Sequence, residues 1–235
     1  VVYFAPLFGG MIADKIGYGK CVTIGFVTMF LGYLGLAIPT EANATGEYSM
    51  YAGLACVSLG TGLFKGNLQV LVGNLYDDPK YASRRIDAFS LFYMAINIGA
   101  MFAPSMAKWI TNVYLGKYGM VYDASNFSPE YLKVLYGAYG LCFGVACVSL
   151  VVSAVIYFAC RSWFKHADVT AKQAKEQEAS VEQLTPKQEK DRIIALLLVF
   201  AVVIFFWMAF HQNGSALTFF AKKYTNLTVS GGMRV

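Results

Sequence analysis

The chain is 235 residues long with a formal net charge of +5, and its residues are 57% hydrophobic and only 14% charged. Soluble domains average about 45 to 50% apolar and about 25% charged residues, so an ordinary water-soluble globule is excluded and an all-α membrane protein is indicated. The basic residues lie in connections between apolar runs, not on a soluble face interleaved with aromatics, which excludes nucleic acid as a partner.

A spanning helix needs about 20 predominantly apolar residues, and the runs can be measured against that length in chain order. Residues 1–13, VVYFAPLFGGMIA, are apolar from the first position, without an initiator methionine or a polar flank. The chain is therefore expected to enter inside a helix and to be a fragment, and its far end, SGGMRV, has no span after it. Full spans are expected over 22–38, 48–76, 88–107, 131–160 and 193–221, making six membrane-inserted helices with the cut one.

The connections set the orientation. Lys15 and Lys20 lie in the first, Lys80, Arg84 and Arg85 in the third, and Arg161, Lys165, Lys172 and Lys175 in the fifth. The second, PTEANATGE, is acidic without a base, and the fourth mixes Lys117 and Lys133 with Asp123 and Glu130. The positive-inside rule places the first, third and fifth in the cytoplasm. Residues 161–192, rich in Lys, Glu, Gln and Ala with Pro186 as a breaker, read as a solvated cytoplasmic linker. It joins an N-terminal transmembrane bundle, 1–160, to the first helix of a second bundle, 193–235. The five cysteines, Cys21, Cys56, Cys142, Cys147 and Cys160, sit in or at the ends of apolar runs without CxxC or metal-ligand spacing, and read as packing residues.

Three polar constellations interrupt this pattern. Lys65 stands alone in GTGLFKGNLQVLVGN, near the expected mid-depth of its span. A lysine there costs roughly 2.5 to 3.5 kcal/mol, and with about ten residues on either side, each adding about 1.5 Å, snorkelling is a poor escape. It is expected to face a cavity or partner and to carry function; the plainer reading is a silent pair with another helix. Next, Gly10, Asp14, Lys15, Gly17 and Lys20 spell G-x-x-x-D-K-x-G-x-G-K. The glycines permit a tight turn, and the aspartate is placed to bond basic groups and helix termini. Last, residues 89–101 read FSLFYMAINIGAM. Tyr93 and Asn97 share a helix face, and Gly99 is expected to admit a neighbouring helix closely.

The turn motif resembles the loop signature of the major facilitator superfamily. FSLFYMAINIGAM resembles the signature F-x-x-F-Y-x-x-I-N-x-G-A of the proton-dependent oligopeptide transporter family at every defined position, through Phe92, Tyr93, Asn97 and Gly99. GTGLFKGN resembles the family's GxGxFKPN, with Gly66 in place of the usual proline, which loosens the kink expected there. Tyr3, eleven residues before Asp14, matches the family's pocket tyrosine. FWMAFHQNGSAL resembles FWxxxEQxxS, but His211 stands where a glutamate used in proton coupling and gating is usual. The first-helix motif ExxERFxYY is absent.

The resemblance implies a major facilitator fold, with this chain supplying the second to seventh of twelve helices. It implies proton-coupled symport of di- and tripeptides across the cell's inner membrane by a multi-pass protein, driven by the proton gradient, with no cofactor, no metal and no enzymatic activity. Tyr3, Lys65 and Asn97 would bind substrate, Lys65 and His211 would couple protons, and Gly10, Asp14, Lys15 and Gly17 would form the cytoplasmic gating motif. A histidine ordinarily titrates near pH 6.5, so His211 would keep a protonatable group with reversed charge logic; the alternative is a hydrogen-bonding residue in a helix interface. Two other functions stay open on the same fold: carriage of nitrate or another small anion, and a non-transporting receptor or assembly subunit. A membrane-embedded enzyme finds no HExxH and no nucleophile with a base at helical spacing.

Overall fold

The computed structural model describes residues 5–38, 44–78, 80–168, 185–224, 228–229 and 233–234. Among them the helices are α1 (Ala5–Ile16), α2 (Tyr18–Ala37), α3 (Ala44–Asn74), α4 (Arg85–Lys117), α5 (Pro129–Ala159), the single turn α6 (Arg161–Phe164), α7 (Pro186–Phe210) and α8 (Ala216–Tyr224). Short 3-10 turns lie at Ala82–Arg84, Lys165–Ala167 and His211–Gly214, and Thr228–Val229 pairs antiparallel with Met233–Arg234. The chain divides into two compact units, Val1–Gln177 and Glu178–Val235.

Four described segments are long and apolar enough to cross a membrane: Tyr18–Ala37, Ala82–Lys117, Pro129–Ala159 and Pro186–Phe210. Of the six helices expected there, α1 has only 12 residues described as helix. The other, α3, has the length at 31 residues but is diluted by glycines and by Lys65, Asn67 and Gln69. The apolar side chains of α4 and α7 point outward, among them Phe102, Trp109, Leu198, Val202 and Phe205. In water such a surface would drive association; on an all-α membrane protein it meets lipid or further helices.

Glycine sets the packing of the first unit. Gly25 and Gly32 on α2 lie seven residues apart, as do Gly53 and Gly60 on α3. A Cβ at Gly25 would sit 2.9 Å from the Gly60 carbonyl, and one at Gly32 would sit 2.8 Å from the Gly53 carbonyl. The two helices therefore run antiparallel with backbones almost touching at two levels, the small-residue contact that substitutes for a hydrophobic driving force inside a membrane. On the other side of α3, a Cβ at Gly9 of α1 would come within 2.5 Å of the Gly62 carbonyl. Around these contacts Val22, Phe26, Met29 and Leu71 form a buried core. Phe26 meets Phe64 edge-on at 4.9 Å and Tyr157 of α5 at 5.6 Å. α4 packs against α5 through its far half, where Leu115 meets Tyr131 and Leu135 of α5 and Thr111 lies beside Cys142.

Two boundaries differ from the apolar runs. Pro186, read as a breaker in the linker, is the first residue of α7. Thr185 caps that helix: its hydroxyl accepts from the Gln188 amide N–H, and the Gln188 side chain returns to the Thr185 backbone. A proline at the first helical position loses no hydrogen bond, so the helix begins well before the apolar run. The span expected over 193–221 is broken, because α7 ends at Phe210 and His211–Gly214 tightens into a 3-10 turn before α8. Gly214 is a weak helix former, and Ser215 leaves helical geometry at φ −122° and ψ −88°. All five cysteines are free thiols, with Cys21 and Cys147 buried, as a packing role requires.

Candidate functional site

The polar residues of α3 separate onto two faces. Asn67, only 2% exposed, donates from Nδ2 to the Gly9 carbonyl at 3.2 Å and the Leu63 carbonyl at 2.8 Å, tying α3 to α1. Lys65 and Gln69 are four residues apart and share another face. Lys65 is exposed and has no carboxylate in ion-pair range among the described residues. The middle residue of α3 is Leu59, so Lys65 lies six residues, about 9 Å of rise, toward the Asn74 end of the helix. Gly66 does not interrupt the helix, which runs unbroken to Asn74; without a proline ring no backbone hydrogen bond is lost.

Across from this face, α4 carries Tyr93 and Asn97 on one side of the helix. They line an open groove of about 460 Å³ with Ser90, Met94, Ile98 and Met101. Gln69 Nε2 donates to the Tyr93 hydroxyl at 2.9 Å, joining the α3 and α4 faces. Phe92 packs edge-on against Tyr93 at 5.8 Å. The α3–α4 pair is also held at its turn, where Arg85 meets Asp77 at 2.9 Å. A Cβ on Gly99 would meet no described atom within 4 Å; the close helix approach expected there is not made among the described residues, because α4 stands apart from α3 along this stretch.

The turn motif folds around Gly17, whose φ of 98° is a left-handed conformation open to glycine at little cost; it ends α1 and starts α2 one residue later. Asp14, in the last turn of α1, accepts from the Tyr18 hydroxyl at 3.0 Å. The carboxylate at the start of α2 is a different one. Asp168, beyond α5, accepts from the Gly19 amide N–H at 2.7 Å, with Arg161 3.9 Å from its other oxygen. Asn74, closing α3, donates to the Ala167 carbonyl at 3.1 Å. Asp14 lies on the exposed face of α1, and among the described residues Asp168 is the carboxylate bonded to an amide in the first turn of α2. These bonds gather the first, third and fifth connections at one end of the unit, which is the shared side their basic residues implied. Lys15 is exposed and Gly10 half-buried.

In the second unit, His211 follows the last turn of α7. Its ring lies 5.6 Å from Trp207 and 6.2 Å from Phe210. An open groove of about 650 Å³ runs along Phe200, Val203, Ile204, Trp207, Met208, His211 and Gln212. Gln212 binds back to the Met208 carbonyl and is joined by the Ser215 hydroxyl at 3.3 Å. Tyr3 lies outside the described residues.

The site thus brings Tyr93 and Asn97 together in one groove and adds Gln69, bonded to Tyr93, which the motifs did not single out; its spacing of four from Lys65, which shares its face of α3 but does not line that groove, was the available signal. The arrangement offers a cation, a hydroxyl and a carboxamide on adjoining helices, a set suited to the carboxylate and amide groups of a small polar ligand.

The POT family profile matches residues 20–181. The chain is 27% identical to Peptide transporter YePEPT of Yersinia enterocolitica subsp. palearctica serotype O:3 (strain YE-P4), over 98% of this chain and 51% of that protein. It is also 27% identical to Dipeptide and tripeptide permease A of Pectobacterium carotovorum subsp. carotovorum (strain PC1), over 98% of this chain and 48% of that protein. The chain spans about half the length of these curated relatives. Its backbone superimposes on a crystal structure of a mutant peptide transporter POT in complex with alafosfalin at a TM-score of 0.52 and 30% identity, covering 88% of this chain and 35% of that one. With Lys65, Tyr93 and Asn97 all inside the matched segment, the chain belongs to the POT family.

Proposed function

We propose that the protein carries out proton-coupled symport of di- and tripeptides as a multi-pass protein of the inner membrane, with the ends gathered around Gly19, Asn74 and Asp168 facing the cytoplasm. The observation that carries this reading is Lys65, an exposed cation without a described counter-ion on a helix of a membrane protein, beside an α4 face that presents Tyr93 and Asn97. Every short peptide ends in a carboxylate and contains amide groups whatever its side chains. A fixed cation with neutral hydrogen-bonding neighbours reads those common features and ignores sequence. Membership of the POT family and the relatives, which include a dipeptide and tripeptide permease, support the substrate class. Lys65 and His211 are the groups assigned to the coupled proton.

The test is uptake of a labelled dipeptide by the full-length gene product in proteoliposomes with an imposed pH gradient. Lys65→Ala abolishes accumulation while leaving membrane insertion intact. Wild-type rates in that variant would refute the assignment. Uptake that follows nitrate and ignores dipeptide would select the small-anion alternative, in which Lys65 meets an anion with no amide groups to read.

A further inference from the structure

We infer that Gln69 is a positioning residue of the substrate site, holding the Tyr93 hydroxyl so that its proton points at a backbone oxygen of the bound peptide. This rests on the transport reading above and adds to it a residue and a direction of hydrogen bonding. The α3–α4 pair is held near its turn, where the space at Gly73 is taken by Arg85 and Phe89. Beyond that point α4 stands clear, with every residue from Tyr93 to Trp109 exposed. Gln69–Tyr93 is the side-chain hydrogen bond that spans the two helices as they begin to diverge. A tyrosine hydroxyl has one proton and two lone pairs. Because the oxygen accepts from Gln69 Nε2, the proton is left free, and the bond removes the rotational freedom that an unheld hydroxyl would lose on binding. The ring lines the groove with Asn97, and Lys65 lies one turn from Gln69 on the same face of α3. The result is a donor held in place with a cation one turn away along α3, which suits an oxygen acceptor: the terminal carboxylate or the peptide carbonyl.

Gln69→Met keeps the length of the side chain and removes its amide. In the full-length gene product it raises KM for alanylalanine about two- to tenfold, the size of one ordinary hydrogen bond, with kcat little changed. Tyr93→Phe raises KM by at least as much, and adding Gln69→Met to Tyr93→Phe gives no further loss, because the two act through one proton. Multiplying effects in the double variant would overturn the inference. Alanylalanine amide separates the two acceptors: the Gln69→Met effect shrinks with the amide if the terminal carboxylate is the partner and persists if it is the peptide carbonyl. The bond itself is read without substrate, as a change in the 13Cζ resonance of Tyr93 in labelled protein on Gln69→Met and no change on the control Gly35→Ala. If the parent protein does not take up alanylalanine, the transport reading fails and the peptide-directed role of Tyr93 is overturned with it; an unmoved Tyr93 resonance on Gln69→Met in a protein that does take it up overturns the inference while leaving the transport reading standing.

Discussion

The glycine contacts between α2 and α3 make a quantitative claim that two substitutions three residues apart can test. A Cβ at Gly32 would lie 2.8 Å from the Gly53 carbonyl oxygen, 2.8 Å from the Val57 amide nitrogen and 2.8 Å from Val57 Cγ2. Two of these atoms are backbone and cannot turn aside, so Gly32→Ala must part the helices by roughly 0.6 Å to restore ordinary contact near 3.4 Å. Overpacking of this kind costs about 1 to 3 kcal/mol. A shift of about 0.5 to 1 Å also forfeits a quarter to a half of the dispersion at neighbouring contacts. Alanine gains up to about 1 kcal/mol over glycine in helix propensity, which blurs a single measurement. Gly35, on the same helix, has nothing within 4 Å of its Cβ position. Gly35→Ala takes the propensity gain alone, and the difference between the two variants isolates the contact. Gly32→Ala is expected to be less stable than Gly35→Ala by about 1 to 3 kcal/mol, or about 2 to 12 °C in unfolding midpoint for a chain of this size. The buried thiols Cys21 and Cys147 supply the assay: a thiol-reactive fluorophore followed through a thermal ramp in detergent micelles. Equal midpoints, or a higher one for Gly32→Ala, would refute the antiparallel glycine contact.

Asp168→Ala removes the carboxylate that accepts from Gly19 and neighbours Arg161, at a cost of about 0.5 to 2 kcal/mol; hydrogen exchange at the Gly19 amide should accelerate, and unchanged protection would remove Asp168 from the start of α2. His211→Gln keeps hydrogen-bonding capacity and much of the volume but cannot change charge, so the pH profile of dipeptide uptake should differ from the parent's, and superimposable profiles would make His211 a packing residue. Ser125, through its hydroxyl at 2.6 Å and its amide at 2.9 Å, holds the Asp123 carboxyl below the usual carboxylate value. A depressed folded pKa means that the stabilisation is present above the unfolded value of 3.8 and is lost as pH falls through the folded one. Protection of the Ser125 amide should therefore decline in that acidic window, and an NMR titration in which Ser125→Ala leaves the Asp123 carboxyl unmoved would contradict the assignment.

Much of the candidate site was legible because it is written within single helices. Tyr93 and Asn97 must share a face at a spacing of four, and Lys65 and Gln69 must do the same, whatever surrounds them. The seven-residue spacing of Gly25 and Gly32, and of Gly53 and Gly60, was equally present in the sequence, and only its meaning waited on knowing that the two helices are partners. The start of α7 was spelled out by Thr185, Pro186 and Gln188, a capping box with proline at the first helical position. The charged composition of the linker outweighed that signal.

What could not be read from the chain is everything that depends on residues far apart in it. Asp168 and Gly19 are separated by 149 positions, and no local rule chooses between Asp168 and Asp14 for the start of α2; the course of the chain beyond α5 decides it. The bounds of α3, Ala44–Asn74, also differ from the apolar run of 48–76, beginning four residues before it and ending two residues short of its end. Apolar runs, motifs and helical periodicity are local properties, and they suffice to give an all-α membrane protein, its family and the helix faces that carry polar groups. That Gln69 meets Tyr93, that Asn67 turns inward to Gly9 and that α4 leaves its polar face open emerge from the packed helices, because hydrogen bonds and backbone contacts between helices depend on their relative placement, which no single stretch of chain contains.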